Sequence, residues 1–62
     1  MTLQEQKTNY AKKLFDMHVN QNKYKKNYKL LDALEYAATE SNVNIFELSK
    51  ELDLEFYYKN EN

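Results

Sequence analysis

Apolar residues recur along this chain with a helical period and nowhere with a period of two. Leu3, Tyr10, Leu14 and Met17, with Phe15 beside them, trace one face of a helix over about 3–18. Leu31, Leu34 and Ala38, flanked by Leu30 and Ala37, trace a second helix over about 24–40. In that reading Tyr24 and Tyr28 stand at i, i+4 and share a face with Leu31. Ile45, Leu48, Leu52 and Phe56 fall at i, i+3, i+7 and i+11, which predicts a third helix over about 44–59. Caps agree with two of the starts: Thr2 with Glu5, and Asn44 with Glu47, both fit a capping box. The pattern therefore predicts an all-α fold, a small three-helix domain spanning 1–62.

One feature divides the third segment. Glu47, Glu51 and Glu55 form an i, i+4 column with Asp53 nearby. Like charges at that spacing repel by about 0.2–0.5 kcal/mol per pair. Either the helix breaks near Asp53 to give a helix-turn-helix-like pair, or the acids are kept for a basic partner.

Composition sharpens the picture. The chain has 62 residues and lacks cysteine, glycine and proline. A chain of this length buries only about 60% of its unfolded surface, with no disulfide or thiolate–metal site to help. Helix packing must supply the stability, completed in some designs by a second copy or a partner. Without glycine, tight turns fall to Asn, Asp or Ser. No apolar run is long enough to span a membrane and no signal-peptide pattern opens the chain, so the expectation is an intact cytosolic (cytoplasmic) protein, monomer or homodimer.

The net charge of −1 hides an asymmetry. Residues 1–29 carry seven lysines against Glu5 and Asp16, a balance of +5. Residues 30–62 carry eight acids against Lys50 and Lys59, a balance of −6. The halves either neutralise each other within one molecule or present charge to something else.

Candidate chemistry is sparse. There is no glycine-rich phosphate loop, no cysteine nucleophile and no local Ser/His/Asp set, so no catalytic residue, cofactor or metal is expected. His18, alone of its kind, reads as a helix-end residue that gains from the dipole when protonated. Lys23, Tyr24, Lys25, Lys26 and Lys29 alternate charge with an aromatic ring. Such a segment either meets nucleic acid, lysines on phosphates and rings on bases, or is a half-buried tyrosine stripe with lysine stems along it. Arginine is absent, which removes bidentate readout of guanine. In the C-terminal third, Glu47, Glu51 and Glu55 would steer toward a basic surface while Leu54, Phe56, Tyr57 and Tyr58 supply apolar contact. Exposed together, Tyr57 and Tyr58 could equally form a dimer seam.

Three resemblances meet on this stretch. Val43 to Leu54, which reads Val-Asn-Ile-Phe-Glu-Leu-Ser-Lys-Glu-Leu-Asp-Leu, resembles the first helix and turn of helix-turn-helix proteins. Ser49 stands at the usual alanine and Asp53 at the turn glycine. The resemblance implies DNA binding through the residues that follow, yet 55–62 hold Glu55 and Glu61 against Lys59, the wrong sign for phosphates. Leu34-Glu35-Tyr36 through Ile45–Lys50 is similar to small phage late-transcription coactivators, with one extra residue in the connection. That similarity implies a protein target, RNA polymerase, and fits the acids. Ser49-Lys50-Glu51-Leu52-Asp53 resembles the Ser-x-Glu-Leu-Asp signature of sporulation aspartyl-phosphate phosphatases, which are two-helix hairpins. By that resemblance Ser49 and Asp53 would approach the phospho-aspartate of a response regulator. The expected function is a small non-catalytic regulator that binds another protein of the transcription machinery. A phosphatase and a DNA-binding protein are the alternatives.

Overall fold

Thr2 sets where the first helix begins. In the computed structural model, which describes residues 2–54, its hydroxyl accepts from the Glu5 amide at 3.1 Å. The Glu5 carboxylate in turn accepts from the Thr2 amide at 3.3 Å, closing the capping box. Helix α1 then spans Leu3–Asn22, one turn beyond the expected end at 18. Asn20, Gln21 and Asn22 contain no residue that forbids helical backbone, so the helix continues through them. It stops where the Lys23 amide donates to Val19 O at 2.7 Å.

Residues 23–29 form successive turns instead of the expected start of a second helix. The Lys25 amide donates to Asn22 O and the Tyr28 amide to Lys25 O. A helix here would stack Lys23 on Lys26, and Lys25 and Lys26 on Lys29, at repelling spacings. Tyr24 and Tyr28 therefore share no helical face with Leu31. Helix α2 spans Leu30–Ser41, with Asp32 in its first turn complementing the helix dipole. Helix α3 spans Ile45–Glu51, its start capped by the Asn44 side chain, which accepts from the amides of Phe46 at 2.8 Å and Glu47 at 3.1 Å. Helix α3 ends at Glu51 and the backbone turns left-handed at Asp53, so the helix expected over 44–59 does not run straight through that residue. The fold is all-α, with three helices and no strand among the described residues.

The turns that end α2 and α3 each use a left-handed residue that is not glycine. Asn42 has φ 55° and Asp53 has φ 60°. After α2, Asn42 N–H donates to Thr39 O and Val43 N–H to Ala38 O. After α3, Asp53 N–H donates to Lys50 O and Leu54 N–H to Ser49 O at 2.7 Å. Each is a Schellman arrangement, whose apolar residue one past the left-handed position folds back on its helix. Val43 and Leu54 fill that role, both half-buried against the core.

The core comprises Ala11, Leu14 and Phe15 of α1, Ala33, Leu34, Ala37 and Ala38 of α2, and Leu48 of α3. Leu34 and Leu48 are its fully buried large side chains. The α1 stripe expected to face inward is only partly used. Leu3, Tyr10 and Met17 stay exposed, at 67, 54 and 44%. The buried face is rotated toward Ala11 and Phe15, where alanines of α2 allow close approach. None of the helices among the described residues is long and apolar enough to cross a membrane.

Two substitutions test this account. The Ser41 hydroxyl is buried with no hydrogen-bond partner among the described residues, and leaving such a group unpaired costs about 1–3 kcal/mol. Ser41→Ala should raise the urea-unfolding free energy by about 1 kcal/mol, whereas a loss of stability would show the hydroxyl to be paired. At Asp53 a left-handed backbone costs an L-residue about 1–2 kcal/mol. Asp53→Gly should therefore be neutral to stabilising and Asp53→Val destabilising, both read by thermal melts.

Candidate functional site

Two faces carry the charged and aromatic residues, and α1 separates them. At its N-terminal end, Gln4, Glu5, Thr8 and Asn9 of α1 meet Glu47 and Glu51 of α3 around an open groove of about 370 Å³. Ile45 and Leu48 turn the inner side of α3 to the core, and this leaves Glu47 and Glu51 on its outer side, one turn apart. Lys12 reaches Glu51 at 3.7 Å, with both side chains well exposed (39 and 54%). An ion pair of that kind contributes at most about 1 kcal/mol. It is the one ion pair among the described residues, none of which supplies Glu47 with a lysine. Phe46, beside Glu47, is 54% exposed. Among the described residues no three His, Asp or Glu stand close enough to hold a metal ion.

At the other end of α1, the turns of 23–29 hold Lys23, Tyr24, Lys25, Lys26, Asn27 and Lys29 out to solvent, Tyr24 at 78% exposure. Next to them lies a larger open concavity of about 650 Å³, lined by His18, Asn22, Lys25, Lys26, Asn27, Tyr28 and Asp32. Its back wall is aromatic. The His18 ring stacks on Tyr28 with centroids 5.6 Å apart and lies tilted over Tyr36 at 5.0 Å. His18 Nδ1 and the Tyr28 hydroxyl share a 2.8 Å hydrogen bond. The Asn22 amide donates to His18 O at 2.8 Å and lies 3.4 Å from the same Nδ1. His18 is thus a part-buried member of a ring cluster inside α1, not the helix-end residue expected. Partial burial, and then the charge of Asp32, raise the Tyr28 phenol above its ordinary value of 10.0.

No protein-family model, curated protein or solved structure matches this chain. The two faces must therefore speak through their own geometry. Of the residues expected to contact a partner, Glu47 and Glu51 stand together on the acidic groove, while Leu54 packs half-buried against the core. Glu55, Phe56, Tyr57 and Tyr58 lie outside the described residues. Lys25 and Lys26 line the basic concavity, with Lys23, Tyr24 and Lys29 exposed on the same turns. Ser49 is fully buried and donates its hydroxyl to Phe46 O at 2.8 Å, whereas Asp53 is exposed in the turn. The geometry therefore does not offer Ser49 and Asp53 as a joint site. Glu5 joins the acids across a long sequence distance, and nothing in the local pattern signals that. The ring cluster was legible only as separate residues, His18 and the tyrosines.

The raised Tyr28 phenol, set by partial burial and then by Asp32, makes a pH prediction. A phenol pKa raised by folding means that the folded chain holds its proton more tightly than the unfolded chain, so stability falls as pH rises. The contribution is complete below the ordinary tyrosine value of about 10 and is lost as pH rises through the folded value. In urea unfolding, Tyr28→Phe should cost about 0.5–1.5 kcal/mol at neutral pH for the lost hydrogen bond. Its stability should also decline less between neutral pH and the alkaline range. An identical alkaline decline in both proteins would remove Tyr28 from the account.

Proposed function

We propose that this protein is a small non-catalytic regulator that docks on another protein, and that its partner belongs to the transcription machinery. The carrying observation is the convergence of Glu47 and Glu51 from α3 with Glu5 from α1 on one groove, opposed among the described residues by a single weak pair to Lys12. Such an excess steers a basic protein surface toward the groove and sets its orientation. Phe46 offers apolar area on the same helix. By sequence, Glu55 continues the column and Phe56, Tyr57 and Tyr58 add rings.

The transcription assignment rests on the resemblances to helix-turn-helix proteins and phage coactivators. Two details of the fold are consistent with it. Ser49 is buried where the pattern has alanine, and Asp53 takes the left-handed backbone where the pattern has glycine. The same turn favours a second reading, direct DNA binding by a helix-turn-helix, against which stands the acidic balance of 55–62. The phosphatase reading gains no support, because the Ser49 hydroxyl faces its own helix and α3 ends before Asp53.

A tagged chain recovered from its native cell, with bound proteins identified by mass spectrometry, should retain RNA polymerase or another transcription or signalling protein. With that partner purified, Glu47→Lys with Glu51→Lys should slow association by about tenfold at low salt and much less at high salt. Equal association rates for the double variant and the unaltered chain at low salt would refute the acidic groove as the docking face.

A further inference from the structure

We propose that the α1–α2 connection is a binding site for single-stranded nucleic acid, on a face separate from the acidic groove. Three observations carry this. First, Lys23, Lys25, Lys26 and Lys29 are all exposed, and none forms an ion pair among the described residues. Four cations within seven residues, with no ion pair among the described residues to neutralise them, form a surface for a polyanion. The charged or titratable groups beside them are His18, Tyr28 and Asp32, and Asp32 alone opposes an anion.

Second, Tyr24 is 78% exposed in the middle of the lysines and makes no ring contact among the described residues. Leaving a ring in water has no packing value to the monomer, but it is the requirement for stacking on an unpaired base. Third, the neighbouring concavity of about 650 Å³ has the size of a small-molecule site and a half-buried ring wall. Asn27 stands exposed in this hollow beside Lys25 and Lys26, and its amide can pair with the edge of an unstacked base. Lysines along a backbone and rings under bases are the two components of sequence-tolerant single-strand recognition.

The geometry favours single strands over duplex. The segment consists of turns, so it presents no helix to a major groove, and the chain has no arginine to read guanine there. A stacking ring needs a base already out of its helix. A lipid surface would use the lysines equally well but would leave the ring wall and the concavity without a role.

The test is fluorescence anisotropy with a labelled single-stranded oligonucleotide of about ten nucleotides, as DNA and as RNA, beside the same sequence in duplex form. The single strand should bind more tightly than the duplex. Its affinity should fall with salt along a log–log slope no steeper than about −3, which is four phosphate contacts at roughly −0.7 each. Lys25→Gln with Lys26→Gln should reduce that slope by about 1.4. Tyr24→Ala should weaken binding by about fivefold or more at every salt concentration with the slope unchanged, and Tyr24→Phe should restore it. All these positions are exposed, so the far-ultraviolet dichroism of each variant should match the unaltered chain. The proposal is overturned if Tyr24→Ala binds as well as the unaltered chain, if the duplex binds as tightly as the single strand, or if anionic vesicles are bound while the oligonucleotide is not.

Discussion

A chain without glycine must find another way to stop a helix and turn sharply, and the whole fold hangs on how it does so. At Asn42 and again at Asp53 an L-residue accepts the left-handed backbone, and the amides that follow close onto carbonyls of the helix just finished. Short polar side chains tolerate that conformation better than others do. The corner at Asn42 lets α3 return its Leu48 to the face made by α1 and α2. The corner at Asp53 ends α3 and brings Leu54 back over it. Remove either and the third helix loses its seat.

The core assembled this way is thin, and its geometry follows from small residues. Ala11, Ala33 and Ala37 are wholly buried at the contact between α1 and α2. Their small size lets the backbones approach closely, and Leu34, Phe15 and Leu48 fill the remaining space. The arrangement draws stability from close packing more than from area, as a 62-residue chain must. The acids and lysines are consequently left almost entirely to the surface, with a single loose pair between them among the described residues.

What the sequence disclosed, and what it concealed, can be traced to particular residues. Helix number, the caps at Thr2 and Asn44, and the interruption at Asp53 are local matters, written in spacing and in side chains that bond their own backbone. The start of α2 is not local. Tyr24 and Tyr28 at i, i+4 fit a helix and a pair of turns equally well, and lysine repulsion decides against the helix. The inward face of α1 departs from the hydropathy pattern because Leu3, Tyr10 and Met17 stand out by hydropathy, while Ala11 contributes by being small. For the sites, Glu47 and Glu51 were legible as a pair on one helix. Glu5 and the ring stack of His18 with Tyr28 depend on which helices meet, and no spacing rule reports that. Ser49 gains a chemical role only through the phosphatase resemblance, and its hydroxyl is buried against the Phe46 carbonyl of its own helix.

The length of α1 has one more consequence. The α1 residues that line the acidic groove reach as far as Asn9 and the lysine-rich turns begin at Lys23, so at 1.5 Å per residue about 20 Å of helix holds the two apart. In physiological salt the interaction between exposed charges decays over a length of about 8 Å. The field of each end is therefore largely screened at the other. A charged neighbour thus meets two ends of opposite character, one lined by carboxylates and the other by lysines, whose fields add little to each other.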